Sequence, residues 1–161
     1  MSTYVKQTSL TVNITENINV NGKSYGNTQS YNFTGNGRVD QRVMEIATGD
    51  SFTDIVLFST ADGRGTFDVD DFTYFRISNL DDTNFITLEI TNANNVKYFV
   101  KLKTSESYLL MCPEIFAQGS GDADISLADI KSVKAKADSA AVYVEYLVVT
   151  KGGVQEGEDG G

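Results

Sequence analysis

The sequence predicts an all-β protein, an antiparallel β-sandwich or jelly-roll-like fold with at most one short helical turn. Three observations carry that expectation. Apolar residues recur with period two in many short stretches. Clusters of Asn, Asp and Gly separate those stretches at short spacing. No segment shows the i, i+3, i+4 pattern of a long helix. The clearest stretch is Phe85 to Leu102. Ile86, Leu88 and Ile90 alternate with polar residues, Asn92 to Asn95 break the pattern, and Val96, Tyr98, Val100 and Leu102 resume it. This is a hairpin, and a lone hairpin is marginal in water, so a second sheet must cover it.

The other elements follow in order. Leu10, Val12, Ile14, Ile18 and Val20 share one parity, which predicts a long half-buried strand bent near Glu16. Asn21-Gly22 is the strongest short hairpin signal, because a type I′ turn needs positive φ twice. The return strand carries Tyr25, Tyr31 and Phe33, with Gly26 as a candidate bulge. Arg38 to Thr48 reads as a strand, with a short helix as the alternative. Ile55 to Phe58 is an unbroken apolar run, which suits burial on both faces. Thr66 to Leu80 reads as one strand with Phe75 and Ile77 inward and Phe72 and Tyr74 on the other face. Tyr108 to Met111 forms a short strand that ends at Pro113, the only proline. Ser126 could cap a helical turn through Ile130. Val133, Ala135 and Ala137, then Val142, Val144, Tyr146 and Val148, form the last inward rows. Residues 1–151 are expected to make a single sandwich domain. Residues 152–161, glycine-rich and acidic, read as a flexible tail.

Composition excludes several kinds of chemistry. The chain has no histidine and one cysteine. Ser-His-Asp and Cys-His catalysis are therefore excluded in their ordinary forms, and a structural zinc site nearly so. Cys112 reads as a small buried hydrophobe, with an intermolecular disulfide or a reactive thiol as the alternative. A net charge of -9 opposes general nucleic-acid binding and anionic membranes. No run of about 18 apolar residues is present to span a bilayer. The first ten residues lack the order of a signal peptide. Asn13-Ile14-Thr15 and Asn32-Phe33-Thr34 therefore read as chance sequons.

Candidate sites are few, and no catalytic residue or cofactor is expected. Asp68, Asp70 and Asp71, and Asp122 with Asp124, are weak candidates for calcium, which favours hard oxygen ligands. Neither group has EF-hand spacing, and loop solubility and edge protection explain both. A glycan-binding module would need a Tyr or Phe platform, such as Tyr74, Phe99 or Tyr143, since Trp is absent. Phe72, Tyr74, Phe99 and Tyr143 are expected to point outward. Several outward aromatics on one small domain suggest a surface covered by another subunit or by a loop. Lys97, Lys101 and Lys103, with Lys131, Lys134 and Lys136, oppose an acidic run between 50 and 82. Complementary patches of this kind could dock copies, or could be an ordinary solvated surface.

Two segments carry a resemblance. Phe85 to Met111 and Ile130 to Lys151 are similar to small structural proteins of tailed bacteriophages, those of marine and cyanobacterial phages especially. The closing match runs through Ala137, Asp138, Ala141, Val142, Val144, Glu145 and Tyr146. It covers about the last half of the chain and consists of packing residues. It implies a β-sandwich virion component, a decoration of the capsid or a part of the tail or fibre. Its expected partners are other virion proteins and further copies of itself, in an oligomer or symmetric lattice, with neither nucleic acid nor membrane. It implies location in the virion after synthesis in the host cytoplasm. The long N-terminal strand would be the anchor, adding to a neighbour's sheet. A glycan-binding sandwich module, with or without calcium, is the alternative.

Overall fold

The computed structural model describes residues 8–60, 63, 65–119, 121 and 124–151. These residues are largely strand, as the alternation predicts. In chain order the strands are β1 (Thr8–Thr15), β2 (Ile18–Val20), β3 (Lys23–Tyr25), β4 (Thr28–Asn36), β5 (Arg38–Ile46), β6 (Thr53–Ser59), β7 (Thr66–Asp68), β8 (Phe72–Asn79), β9 (Ile86–Asn92), β10 (Lys97–Leu102), β11 (Ser107–Leu110), β12 (Glu114–Ile115), β13 (Ala128–Ala137) and β14 (Val142–Thr150).

Two sheets form the sandwich. One has the order β10-β9-β13-β6-β7, with β12 added against β13, and the other the order β11-β8-β14-β5. Neighbours are antiparallel except β6 and β7, which run parallel. Ile86, Leu88, Ile90, Val133 and Ala135 come from the first sheet. They share one core with Ile46, Phe75, Ile77, Val142, Val144 and Val148 from the second. The alternation seen in the sequence is thus the alternation between this core and the outside. The central turn closes on Asn92, which is buried. Its Oδ1 accepts from the backbone N–H of Asn94 at 3.0 Å and of Val96 at 2.9 Å. Asn95 takes the left-handed conformation at φ +61°.

The rims of the sandwich are tied from sheet to sheet. On one side the Tyr98 and Tyr108 hydroxyls, from outer strands β10 and β11, hydrogen-bond at 2.8 Å. Burial, then this bond, pushes the Tyr98 phenol well above its usual pKa. On the other side Arg38 of β5 reaches the opposite sheet. Its Nη1 donates to the Thr66 carbonyl at 2.8 Å, and the guanidinium lies 4.1 Å from the centre of the Phe67 ring.

Residues 8–36 join neither sheet. They form a ribbon in which β1 pairs only β4 and β2 pairs only β3. Asn21 and Gly22 at its tip have φ +52° and +80°, the type I′ signature. The expected long strand breaks after Thr15, where the Glu16 N–H donates to the Asn27 carbonyl at 2.9 Å. Gly26, at φ +94°, is required there, since a Cβ would strike the Glu16 carbonyl.

Three expectations need correction. Residues Ser126 to Ile130 are not a helical turn, because β12 recruits Ala128 and Asp129 as strand partners. A 3-10 turn occurs instead at Val69–Asp71, opened by Asp68 Oδ1 accepting from the Asp70 N–H at 3.0 Å. It divides the single strand expected over Thr66 to Leu80. Cys112 is exposed rather than buried, because it falls in the connection between β11 and β12. Residues 152–161 lie outside the described residues.

Ile90 is fully buried on the central hairpin. Ile90→Ala should lower the unfolding free energy by about 2–5 kcal/mol, measured by urea denaturation. A loss under about 1 kcal/mol would mean that the two sheets do not meet there.

Candidate interaction surfaces

The ribbon presents its apolar residues on one face. Leu10 lies opposite Phe33 and Val12 opposite Tyr31. Ile14 continues the row, and Ile18 pairs with Tyr25 nearer the tip. Directly opposed residues of an antiparallel pair share a face. The other face carries Thr11, Asn13, Thr15, Thr28, Ser30 and Asn32, where Ser30 Oγ donates to Asn13 Oδ1 at 2.8 Å. Such a ribbon is amphipathic, and no sheet of the described chain covers its apolar row. Leu10, Val12, Ile14 and Phe33 are only half-buried, and Ile18, Val20, Tyr25 and Tyr31 are exposed. Its root is fixed: Asn36 Nδ2 donates to the Phe33 carbonyl at 2.7 Å, and the Gly37 N–H donates to the Thr150 carbonyl at 3.1 Å.

The outer face of the six-stranded sheet is the second surface. Phe99 stands there, 57% exposed, with its ring 6.0 Å from that of Phe52. Lys101 lies 4.0 Å from the centre of the Phe85 ring, and Lys136 lies 5.4 Å from that of Phe52. Lys97 pairs with the buried Glu89 at 3.2 Å, and Lys134 pairs with Asp54 at 3.4 Å. Lys131 donates to Asn95 Oδ1 at 3.1 Å. Most of these lysines are already engaged with rings, carboxylates or an amide.

The outer face of the four-stranded sheet carries a polar network. Arg76 Nη2 donates to Glu145 Oε1 at 2.7 Å, and Gln41 Nε2 donates to the same oxygen at 3.0 Å. Arg76 Nη1 also donates to Ser78 Oγ at 2.6 Å, and the Ser78 and Ser107 hydroxyls lie 2.7 Å apart. The network links strands β5, β14, β8 and β11 across the whole sheet. Tyr143 stands beside it, 55% exposed. A hydrogen bond to the Glu45 carboxylate raises its pKa.

The four aromatic candidates therefore separate. Phe99 and Tyr143 point outward, on opposite faces of the sandwich, so they cannot form one platform. Phe72 and Tyr74 are not open to a partner, being 9% and 4% exposed. Phe72 belongs to the core, its ring 5.5 Å from that of Phe58. A register shift between Val149 and Thr150 of the neighbouring strand disturbs the pleat beside it. Tyr74 lies opposite the buried Val149. Among the acidic candidates, Asp68 caps the 3-10 turn formed with Asp70 and Asp71. Asp124 is exposed, and Asp122 lies outside the described residues. No group of three His, Cys, Asp or Glu side chains able to hold a metal occurs among the described residues. No described helix is long and apolar enough to cross a membrane. Between β5 and β7 the rim opens into a cavity of about 170 Å3, lined by Arg38, Asp40, Arg42, Phe67 and Tyr146 among others.

Sequence reasoning missed the ribbon's separation from the body and the four-strand network. Neither leaves a local signal, since both depend on which strands become neighbours. No protein-family model matches the chain, and no curated protein or solved structure matches it.

The bonds from Arg76 and Gln41 hold the Glu145 carboxyl below its usual pKa. A lowered folded-state pKa adds stability above the unfolded value, about 4.3, and that stability is lost as pH falls through the folded value. Urea denaturation between pH 6 and pH 2 should show this loss, and Glu145→Gln should flatten it. Some slope should remain from Asp81, which the Asn84 and Thr83 backbone N–H groups hold low. Identical acid profiles for the two proteins would refute the role of the network.

Proposed function

We infer that this chain is a non-enzymatic structural subunit of a phage virion, held in its particle by protein–protein contacts, with residues 8–36 as its anchoring arm. The observation that carries the reading is the apolar row Leu10, Val12, Ile14, Tyr31 and Phe33 on a two-stranded ribbon, which no described sheet covers. A two-stranded hairpin gains too little from its own contacts to stand alone in water. Docking on a neighbour supplies the missing layer, at roughly 25 cal/mol per Å2 of apolar area before ordering costs. Charge favours the same end of the molecule. Between residues 8 and 36 the only charged side chains are Glu16 and Lys23, so the arm is neutral in a chain of net charge -9. A neutral arm can approach another acidic copy with little long-range repulsion. The likeness of Phe85 to Met111 and Ile130 to Lys151 to tailed-phage structural proteins supports a virion as the assembly. The absence of histidine and the lone cysteine in the sequence support a mechanical rather than a chemical task.

The test joins particle and isolated chain. Cryo-EM of native particles should place this chain at repeated symmetric positions with the arm against a neighbour. Val12→Asp with Tyr31→Asp should abolish incorporation. It should move the melting temperature of the isolated chain by no more than about 2 °C, because both sites lie outside the core of the body. Full incorporation of that variant, or particles lacking the chain, would contradict the reading.

A further inference from the structure

Of the outer strands of the sandwich, β5 offers the longest edge, and its charges, Arg38, Asp40, Arg42 and Glu45, are of mixed sign. β7 and β11 have only three and four residues. β10 carries Lys97 and Lys101, and charged side chains, lysine especially, discourage edge pairing. β5 runs nine residues without Pro, Gly or Lys. It pairs with β14 on one side, and no described strand pairs with it on the other. Val39 and Val43 stand on its outer face, 57% and 60% exposed. Asp40 and Arg42 stand on its inner face, at the rim cavity.

The order of these residues is self-complementary. Around Gln41, Val39 mirrors Val43 and Asp40 mirrors Arg42. We propose that β5 pairs antiparallel with β5 of a second copy, about a two-fold axis through Gln41. Val39 then meets Val43 of the partner subunit, and Asp40 meets Arg42 of the partner subunit, each twice by symmetry. The two four-stranded sheets become one continuous sheet. Within one copy Asp40 already accepts from Arg42 Nε at 2.9 Å and from the Tyr146 hydroxyl at 3.2 Å. The Arg42 side chain remains 68% exposed. The pairing joins the two Asp40–Arg42 pairs into a four-membered network. Register is fixed by charge. Moving the axis one residue either way sets Arg42 against the partner's Arg42, or Asp40 against the partner's Asp40. Like charges directly opposed are destabilising. The contact stands apart from the arm, so it can fail while the arm reading survives, and the reverse.

Charge reversal tests it. Sedimentation should find a wild-type dimer. Asp40→Arg alone and Arg42→Asp alone should each weaken dimerisation by more than about tenfold, because each opposes like charges twice. An equimolar mixture of these two variants should restore the dimer, since each then supplies what the other lacks. Circular dichroism checks that both fold. Independently of the charges, Gln41→Cys in a Cys112→Ser background should form a disulfide-linked dimer on oxidation. Val43→Cys in that background should do so poorly, because it faces Val39 of the partner subunit. The Gln41→Cys cross-link should also persist when Val12→Asp and Tyr31→Asp disable the arm. Single reversals that dimerise like wild type, folded variants that fail to re-pair on mixing, or a Gln41→Cys chain that stays monomeric would each overturn the proposal.

Discussion

Every apolar row in this chain needs a second apolar layer, and that requirement shapes both parts of the molecule. In the body it is met internally. Ile86, Leu88 and Ile90 lie against Phe75, Ile77, Val144 and Val148, and all of them are shut off from water. The arrangement tolerates polar outer faces because each pleat sends alternate side chains away from the core. The rims are closed by specific bonds rather than by more apolar area. Tyr98 and Tyr108 tie one side, and Arg38 with Thr66 and Phe67 ties the other. In the arm no described sheet meets it. Its row of Leu10, Val12, Ile14, Tyr31 and Phe33 has the same pattern as a core strand and no facing sheet among the described residues.

That contrast gives the two ends of the molecule different tasks. In the body several charged residues are engaged with one another, as at Lys97–Glu89, Lys134–Asp54 and Arg76–Glu145. An exposed pair such as Lys134–Asp54 adds little stability, so the core and the rim bonds hold the body together. The arm is neutral and amphipathic, and its root is bonded to the body at Thr150. Edge strand β5 continues directly from the arm through Gly37, so the surfaces left unsatisfied lie on one continuous run of chain. A subunit that assembles by sheet extension and strand burial would be arranged in this way.

Much of this was legible in the sequence, and the reasons it was legible are physical. Period-two alternation marks a half-buried strand wherever it occurs, so Ile86 to Ile90 and Val142 to Val148 could be placed inward. Asn21-Gly22 and Asn92 to Asn95 could be read as turns because few other residues accept their backbone conformation. The same alternation could not say which layer covers a strand. Leu10, Val12 and Ile14 look like core residues whether the facing sheet is their own or a neighbour's. Tyr74 lies on the face opposite Phe75 as its parity predicts but is buried there, and Phe72 turns into the core beside the register shift at Val149 and Thr150, which depends on tertiary pairing. Packing residues of the second half, such as Val142, Val144 and Tyr146, carry no information about the arm. The palindrome around Gln41 was visible in the letters, but nothing in them showed that β5 would be an edge.

An arm with no described covering layer requires another molecule to complete it. Amide hydrogen exchange over residues 8–36, followed as a function of protein concentration, tests that requirement most directly. The account predicts fast exchange of the arm in dilute solution and protection that rises with concentration, while amides of β9 and β14 stay protected throughout. An arm as protected as the core in the dilute monomer, or one that exchanges freely in the assembled particle, would contradict it.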